Sequence, residues 1–323
     1  FAPRFLIEPR PADRGGRVGE DEAALQRGLE ALELRVQSAL ARQDDSELEA
    51  IGSGEISPVQ RLREAGRSYA VKRLPLFASE ARLRSYVATF EAYRTALEDV
   101  GIQPIKSTVI IATRKKNEIV AHCVQSQVDE SMLCVARLRT MDLTAARRFG
   151  GELFAVIAGA VSARLGLDAQ LSNWFVRGEA NSARALGYLD LTTPLLRGPS
   201  GEELLDTELF LASLPAALRP IVRRFMLGDI LANYYDLRSV LRDLLGNLIK
   251  EQLEQHLDGW LGLANARVTP ELTISEVRAH YADDARTWSL LQRLRRMARG
   301  WQRYVRRRPY GFLLPGSIQR QID

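Results

Sequence analysis

The residues best suited to chemistry lie in four short segments, 51–57, 69–72, 168–173 and 188–190. In chain order they provide a glycine-containing loop, a lysine, an aspartate with an asparagine, and a further aspartate. Loop N–H groups and an ammonium bind phosphates, a carboxylate accepts a proton, and carboxylate and amide oxygens bind Mg²⁺. Together these groups favour phosphoryl transfer.

The first segment is a candidate phosphate-binding loop. Gly52, Ser53 and Gly54 follow a short strand-like run, and closely spaced glycines let a backbone turn sharply and approach a ligand. An ordinary turn explains the same residues, and Pro58 follows Ser57 where a further small residue is expected. The loop therefore gains weight only from the other three segments.

The second segment supplies a lysine that could pair with phosphates. Lys72 ends an apolar run, and a hairpin folding back under the loop would place its ammonium beside the α- and β-phosphates. A solvated lysine at a sheet edge is the plainer interpretation. An ammonium on a flexible stem needs an anchor. We predict Glu91 in the following helix, with Glu80 as the alternative, although either glutamate alone is typical of a solvated helix face.

The third segment carries the strongest signal. Asp168 and Asn173 stand five residues apart, between a long apolar helix and a strand-like run. A carboxylate there can accept the proton of an attacking hydroxyl, and an amide oxygen can bind Mg²⁺. A turn or helix cap explains the same two residue types.

The fourth segment adds a second metal ligand. Asp190 ends an apolar run and would project from the edge of a sheet, where it completes a magnesium site with Asn173. Residues 192–194, Thr-Thr-Pro, predict a turn there in either case.

The distribution of patterns predicts an α+β fold. Residues 1–46 form an extension with an amphipathic helix at 21–42, packed on the outside of the strand-rich part. Residues 47–128 carry strand-like runs around one helix and predict a small antiparallel sheet. Residues 129–323 are mainly helical, and the change near 125–130 predicts a hinge.

Individual elements are predicted from local pattern. The helix of the strand-rich part runs over 79–100 and ends at Gly101. Two apolar runs at 174–176 and 185–189 flank a polar turn and predict a β-hairpin. The other predicted strands are 48–51, 69–74, 107–112 and 119–124, and the other predicted helices are 144–165, 204–211, 218–250 with a break near Gly228, 252–261 and 273–305.

In order and spacing these motifs resemble the protein-kinase-like superfamily, particularly its small-molecule phosphotransferases such as aminoglycoside and choline kinases. The resemblance covers roughly residues 47–195 and implies a two-lobed fold with ATP in the cleft between the lobes. It also implies a set of roles: Gln125 to Val128 as the hinge beside the nucleotide, Lys72 with Glu91 as the phosphate-positioning pair, Asp168 as the base, and Asn173 and Asp190 as Mg²⁺ ligands.

The chain departs from this family at three points. Gly166 and Leu167 stand where the family has a histidine before the catalytic aspartate, and Leu191 replaces the glycine after the metal-binding aspartate. No Ala-Pro-Glu segment comes after it, which argues against a protein kinase. The retained groups are those the chemistry needs, which favours an enzyme that phosphorylates a hydroxyl of a small molecule. The alternatives are an inactive pseudokinase that binds a partner, and a kinase-fold adenylyltransferase.

Composition indicates which kinds of partner, cysteine chemistry and cellular location the chain is expected to have. Hydrophobic residues make up 46% and charged residues 26%, as in ordinary globular proteins. The net charge of +5 is mild, and the basic residues at 293–308 are interpreted as a solvated face, so no nucleic acid partner is predicted. The alternative for these residues is a patch that binds nucleic acid or an anionic membrane, which the rest of the chain does not support. The two cysteines predict reduced, buried thiols. No run is long enough to span a bilayer and no signal peptide pattern is present, so a cytoplasmic location is predicted.

Overall fold

The fold combines an antiparallel sheet with a mainly helical remainder. The computed structural model describes residues 17–42, 44–53, 58–115, 118–177, 186–212, 214, 219–225 and 227–305. Within these ranges the architecture is α+β, as predicted. The described ranges contain no helix that combines the length and the hydropathy of a transmembrane span.

The strands form a larger and a smaller sheet. In chain order they are β1 (Ala50–Ser53), β2 (Pro58–Glu64), β3 (Arg67–Arg73), β4 (Gln103–Pro104), β5 (Ser107–Lys115), β6 (Glu118–Ser126), β7 (Trp174–Val176) and β8 (Leu186–Tyr188). The larger sheet is antiparallel with the order β1-β2-β3-β6-β5, so that β3 lies at its centre. The smaller sheet has the order β4-β8-β7, and its β7–β8 pair is the predicted hairpin.

Two strands escape prediction from the sequence. β2 begins with proline and is rich in charged residues, and only Gln60 and Leu62 of its side chains are buried. β4 has two residues and exists through its parallel pairing with β8. Both owe their conformation to a neighbouring strand, since neither has an alternating apolar pattern of its own.

The helices occupy most of the remaining chain. They are α1 (Arg17–Arg42), α2 (Glu80–Asp99), α3 (Cys134–Thr140), α4 (Leu143–Ala160), α5 (Thr207–Leu211), α6 (Arg219–Phe225), α7 (Leu227–Tyr235), α8 (Leu237–Lys250), α9 (Leu257–Asn265) and α10 (Ile274–Tyr304). Gly228, near which a break is predicted, lies within α7, and residue 226, between α6 and α7, is outside the described residues. An unpredicted break falls at Asp236, whose carboxylate caps α8 by accepting a hydrogen bond from Ser239 N at 2.8 Å. The helix predicted over 144–165 ends earlier, at Ala160.

The ends of α2 agree closely with the prediction. Ser79 caps its first turn by accepting a hydrogen bond from Arg82 N at 3.3 Å. Gly101 comes after its last turn with a φ of +85°, a conformation that L side chains rarely adopt. The next residue, Ile102, donates its N–H to Leu97 O at 2.9 Å and closes the helix.

Helix α1 covers the outer face of the larger sheet, as predicted. Its buried residues Leu29, Leu32 and Val36 form one apolar cluster with sheet residues that include Leu62 and Val71. Helix α2 covers the other face and joins the main core of the helical remainder. The sheet is therefore held between two helices that lie far apart in the sequence.

A buried ionic cluster lies under α1. Glu33 is fully buried and accepts hydrogen bonds from Arg73 Nε at 2.9 Å and Arg73 Nη2 at 3.0 Å. His122 is also fully buried, with its Nε2 at 3.5 Å from Glu33 Oε2. Burial lowers the pKa of His122 to about 4, because the positive charge of Arg73 adds to the loss of solvation and together they outweigh Glu33.

This cluster predicts a loss of stability in mild acid. The pKa of His122 is about 6.5 in the unfolded chain and about 4 in the folded one. Between these values the unfolded state binds more protons, so the free energy of unfolding should fall as the pH falls from about 6.5 to about 4, by about 3 kcal/mol in total. Urea unfolding across this range should show a steeper pH dependence in the wild type than in His122→Leu. Equal slopes in the two proteins would contradict the prediction.

Candidate active site

The larger sheet and the helical remainder line a cleft of about 1030 Å³. Most of the predicted site residues lie on its wall: Gly52, Lys72, Gln125, Val128, Asp168, Asn173 and Asp190. Ser53 ends β1, and Gly54 lies outside the described residues. Glu91 does not line the cleft. The structure thus brings together residues from all four segments that the sequence singles out.

Lys72 and Asp190 meet in this cleft. Lys72 lies on the central strand β3, and its Nζ donates to Thr192 Oγ1 at 2.6 Å and to Asp190 Oδ1 at 3.4 Å. The last two residues are separated from Lys72 by 120 and 118 positions in the sequence. The side chains of Lys72 and Asp190 are 22% and 18% exposed, so both remain open to the cleft.

The predicted pair of Lys72 with Glu91 is not formed. Glu91 instead accepts hydrogen bonds from Arg94, three residues on, at 2.8 Å. The buried face of α2 carries Tyr86, Phe90 and Tyr93. Glu91 lies at the border of that face, where its side chain is partly exposed. The alternative, Glu80, is also engaged elsewhere, by Arg84 and Arg114.

Tyr86 is the residue of α2 that reaches the cleft. Its hydroxyl donates to Thr192 O at 3.0 Å, and Thr192 in turn accepts the hydrogen bond from Lys72. Burial raises the pKa of Tyr86, and the nearby charge of Asp190 raises it further, so the hydroxyl stays protonated and serves as a donor. Helix α2 therefore supports Lys72 indirectly, through Thr192.

Asp190 is held as a carboxylate. Burial raises its pKa, but the ammonium of Lys72 and the hydrogen bonds from Thr192 outweigh that effect, and the net shift is downward. Thr192 N, Thr192 Oγ1 and Lys72 Nζ all donate to Oδ1, at 3.1, 2.7 and 3.4 Å. Among the described residues, none donates to Oδ2, which leaves that oxygen available for a cation.

The loop of Asp168 is fixed through its own backbone. Asp168 O accepts hydrogen bonds from Asn173 Nδ2 at 3.1 Å and from Tyr188 Oη at 3.0 Å. The carboxylate oxygen Oδ1 accepts one from Gln170 N at 3.2 Å. Two side-chain donors thus support the position of Asp168, in a chain with no histidine immediately before it.

Asn173 has its amide oriented by this loop. Its Nδ2 is used by Asp168 O, while its backbone carbonyl accepts a hydrogen bond from Leu189 N at 2.8 Å. No donor in the described part of the chain bonds to its side-chain oxygen. Asn173 Oδ1 and Asp190 Oδ2 are therefore hard oxygen donors on one cleft, which suits Mg²⁺.

Helix α8 also supports the loop of Asp168, through Asn247 and Lys250, which were not predicted from the sequence. Asn247 is buried, and its Oδ1 accepts a hydrogen bond from Leu171 N at 2.8 Å. Lys250 Nζ donates to Gln170 Oε1 at 2.9 Å. The available signal was a polar amide within the apolar run of α8, since a buried polar group needs a partner.

Gln125 ties the sheet to the strand that leads to Asp190. Its Nε2 donates to Leu189 O at 2.8 Å and to Ser107 Oγ at 3.0 Å. Sequence reasoning placed Gln125 at the hinge, and the structure places it at the end of β6 in contact with the hairpin. The hydrogen bond to Leu189 O holds the backbone next to Asp190 in place relative to β3, which carries Lys72.

The cysteines do not contribute a reactive group. Cys123 and Cys134 are free and buried, as predicted. Burial raises the pKa of each thiol to about 12, so neither is a thiolate near neutral pH.

The described residues contain no cluster of three or more His, Cys, Asp and Glu able to hold a metal. A magnesium site here would need ligands from a bound substrate in addition to Asp190 and Asn173.

Comparisons with known proteins identify a family. No curated protein matches the chain. Among solved structures it is similar to WaaP in complex with acyl carrier protein, with 13% identity and a TM-score of 0.39 over 78% of this chain and 90% of that chain. The model of a family of unknown function, DUF6206, matches residues 31–299. Because that match spans most of the chain, the protein belongs to the DUF6206 family.

Proposed function

We propose that this protein is an ATP- and Mg²⁺-dependent phosphotransferase that transfers the γ-phosphoryl group to a hydroxyl of a small molecule. The proposed fold is kinase-like, with an extension at 1–46, a nucleotide-binding lobe at 47–128 and a helical lobe at 129–323. One observation carries the proposal: Lys72 and Asp190 meet at 3.4 Å in a cleft that Asp168 and Asn173 also line.

Lys72 would bind phosphate oxygens. It lies on the central strand of the sheet, and its ammonium is partly exposed to the cleft. Thr192 and Asp190 hold this ammonium in place, so little side-chain freedom remains to be lost when a phosphate binds. Gly52 on β1 lines the same cleft, where the absence of a side chain permits close approach of the backbone to a ligand.

Asp190 and Asn173 would hold Mg²⁺. Asp190 Oδ2 and Asn173 Oδ1 are the donors that the surrounding hydrogen bonds leave available, and both are oxygen ligands of the kind Mg²⁺ prefers. When bound, the metal and ATP would supply the transferable phosphoryl group and the neutralisation of its charge. Mg²⁺ takes few ligands directly from a protein in such sites, which fits a pair rather than a cluster.

Asp168 would act as the base. Its carboxylate lies in the cleft, and its backbone is fixed by Tyr188 and Asn173. The acceptor hydroxyl would give its proton to this carboxylate as its oxygen bonds to phosphorus and the bond to ADP breaks.

Helices α7, α8 and α10 line the part of the cleft that remains for the acceptor, with Tyr234, Lys250 and Tyr281 among the lining residues.

Thermal unfolding with ATP, with and without Mg²⁺, tests the nucleotide site. The wild type should be stabilised when both are present, by about 5 °C at ATP near 100 times its dissociation constant. Asp190→Ala should lose the Mg²⁺-dependent part of this shift. Asp99→Ala removes an exposed carboxylate at the end of α2, outside the cleft, and should keep it. The absence of any shift in the wild type at millimolar ATP would overturn the proposal.

One observation favours the alternative of an inactive scaffold. Glu91 pairs with Arg94, so α2 offers Lys72 no carboxylate. A scaffold would show neither a Mg²⁺-dependent shift nor nucleotide turnover. Analysis of the nucleotide product against a panel of sugars, polyols and amino alcohols separates the active alternatives. ADP supports phosphoryl transfer, whereas AMP or pyrophosphate would indicate adenylyl transfer.

A further inference from the structure

The second half of α10 presents an exposed apolar stripe. The first half of the helix packs against α8 and lines the cleft through Arg278 and Tyr281. Beyond Ala285 the side chains of several large apolar residues are 57% to 76% exposed. These are Leu290, Met297, Trp301, Tyr304 and, at the end of the helix, Val305. Their spacing of mostly three, four and seven residues places them on one face.

Arginines flank this stripe, and after Asp283 and Asp284 the helix carries no further acidic residue. From residue 285 to 305 the chain has six arginines and no aspartate, glutamate or lysine. Arg286, Arg293 and Arg296 are exposed beside the stripe. None of these three makes an ion pair with any described residue. The opposite face is buried and carries Gln292, Ala298 and one of the six arginines, Arg295, so the exposed face is the one available to a partner.

No comparable surface exists on the described part of α1, the other long helix that covers the fold. Its exposed large apolar residue within the described range is Leu34. Its charges are mixed, because Glu30 lies close to Arg27 and Arg35. Single exposed apolar side chains of this kind are ordinary on protein surfaces and need no partner. Helix α1 therefore provides a matched comparison for α10.

We propose that the second half of α10 docks the protein on an anionic lipid surface. A helix whose exposed stripe of Trp, Leu and Met is bordered by arginines resembles helices that lie in the membrane interface. Trp301 and Tyr304 are the residue types favoured at the level of the lipid headgroups. A nucleic acid would use the arginines but would leave the apolar stripe in water. A second copy of α10 would bring the positive charges of Arg286, Arg293 and Arg296 together with their own copies, which costs free energy.

Vesicle flotation with the full chain tests this docking. The probes are phosphatidylcholine vesicles and vesicles with about one-third phosphatidylglycerol. The wild type should float with the anionic vesicles only, and raising the salt concentration should weaken binding because the charges are screened. Failure of the wild type to bind anionic vesicles at low salt would overturn the proposal.

Paired variants separate the two parts of the surface. Arg293→Ala with Arg296→Ala should weaken partitioning by about 25-fold, since each arginine near an anionic surface contributes about fivefold. Met297→Gln with Trp301→Gln should also reduce binding. The matched controls on α1, Arg27→Ala with Arg35→Ala and Leu34→Gln, should bind as the wild type does. All these side chains are exposed, and circular dichroism with thermal melting verifies that each variant is folded.

Two other outcomes would reject a lipid partner. In the first, the wild type does not bind vesicles but is a dimer in light scattering, and the double variant Met297→Gln with Trp301→Gln is a monomer. The other is tight binding of a DNA or RNA oligonucleotide that requires Arg293 and Arg296 but not Trp301, again without vesicle binding. Vesicle binding that both α1 controls reduce as much as the α10 variants would equally count against α10 as the docking helix.

Discussion

Replacing Asp168 by asparagine should lower the rate of phosphoryl transfer by about 10²- to 10⁴-fold and leave ATP binding intact. Asparagine can still accept the hydrogen bond from Gln170 N, so the loop keeps its shape, but it cannot take a proton. The backbone contacts of Asp168 O with Tyr188 and Asn173 do not involve the side chain that is changed. ADP release in the presence of an active acceptor gives the rate, and thermal shift with ATP and Mg²⁺ measures binding.

A comparison with Asp168→Ala identifies the cause of the loss. If the carboxylate acts as a base, both variants should lose turnover to a similar degree. If the side chain only shapes the loop, Asp168→Asn should remain nearly as active as the wild type. Wild-type turnover in Asp168→Asn would therefore exclude Asp168 as the base, whatever the alanine variant does.

Replacing Glu33 by alanine should destabilise the fold by about 3–5 kcal/mol. Glu33 is fully buried and Arg73 is 9% exposed, so the change leaves an arginine buried beside His122 without its carboxylate. The free energy of unfolding in urea at pH 7 measures the loss. Arg73 is the neighbour of Lys72 on β3, so the damage should extend to the cleft and weaken the ATP-dependent thermal shift.

Two further variants test the origin of this effect. Glu49→Ala removes a carboxylate that pairs with Arg61 and Arg63 at the surface, and it should cost less than about 1 kcal/mol. Glu33→Leu combined with Arg73→Met removes both charges and should recover most of the stability. If Glu33→Ala costs no more than Glu49→Ala, the buried pair does not have the importance assigned to it.

Much of the local structure could be predicted because its signals are local. Ser79 and Gly101 mark the ends of α2 through hydrogen bonding and backbone conformation that involve only neighbouring residues. The hairpin of β7 and β8 was predictable from two apolar runs with a polar turn between them. Strands β2 and β4 could not be predicted in this way, since their hydrogen bonds come from strands elsewhere in the chain.

The candidate active site also has a part that could be predicted from the sequence and a part that could not. Lys72, Asp168, Asn173 and Asp190 could be selected from their chemical types and order, and the structure places all four on one cleft. The anchor of Lys72 could not be selected. Three glutamates come after Lys72 in α2. Helical periodicity shows that α2 has a buried face, but it does not show which of these glutamates lies nearest to Lys72 on the central strand β3.

The chemical groups that are available, their order and the local elements that carry them all follow from the amino-acid sequence. Which of these groups meet depends on long-range packing. Lys72 contacts Asp190 and Thr192 because Leu74, just after β3, and Tyr188, at the end of β8, are buried in the same core. Helix α2 turns Tyr86 toward them because Phe90 and Tyr93 must be buried on the same face. Burial of the aromatic side chains sets the rotation of the helix, and Glu91 therefore pairs with Arg94 near the surface.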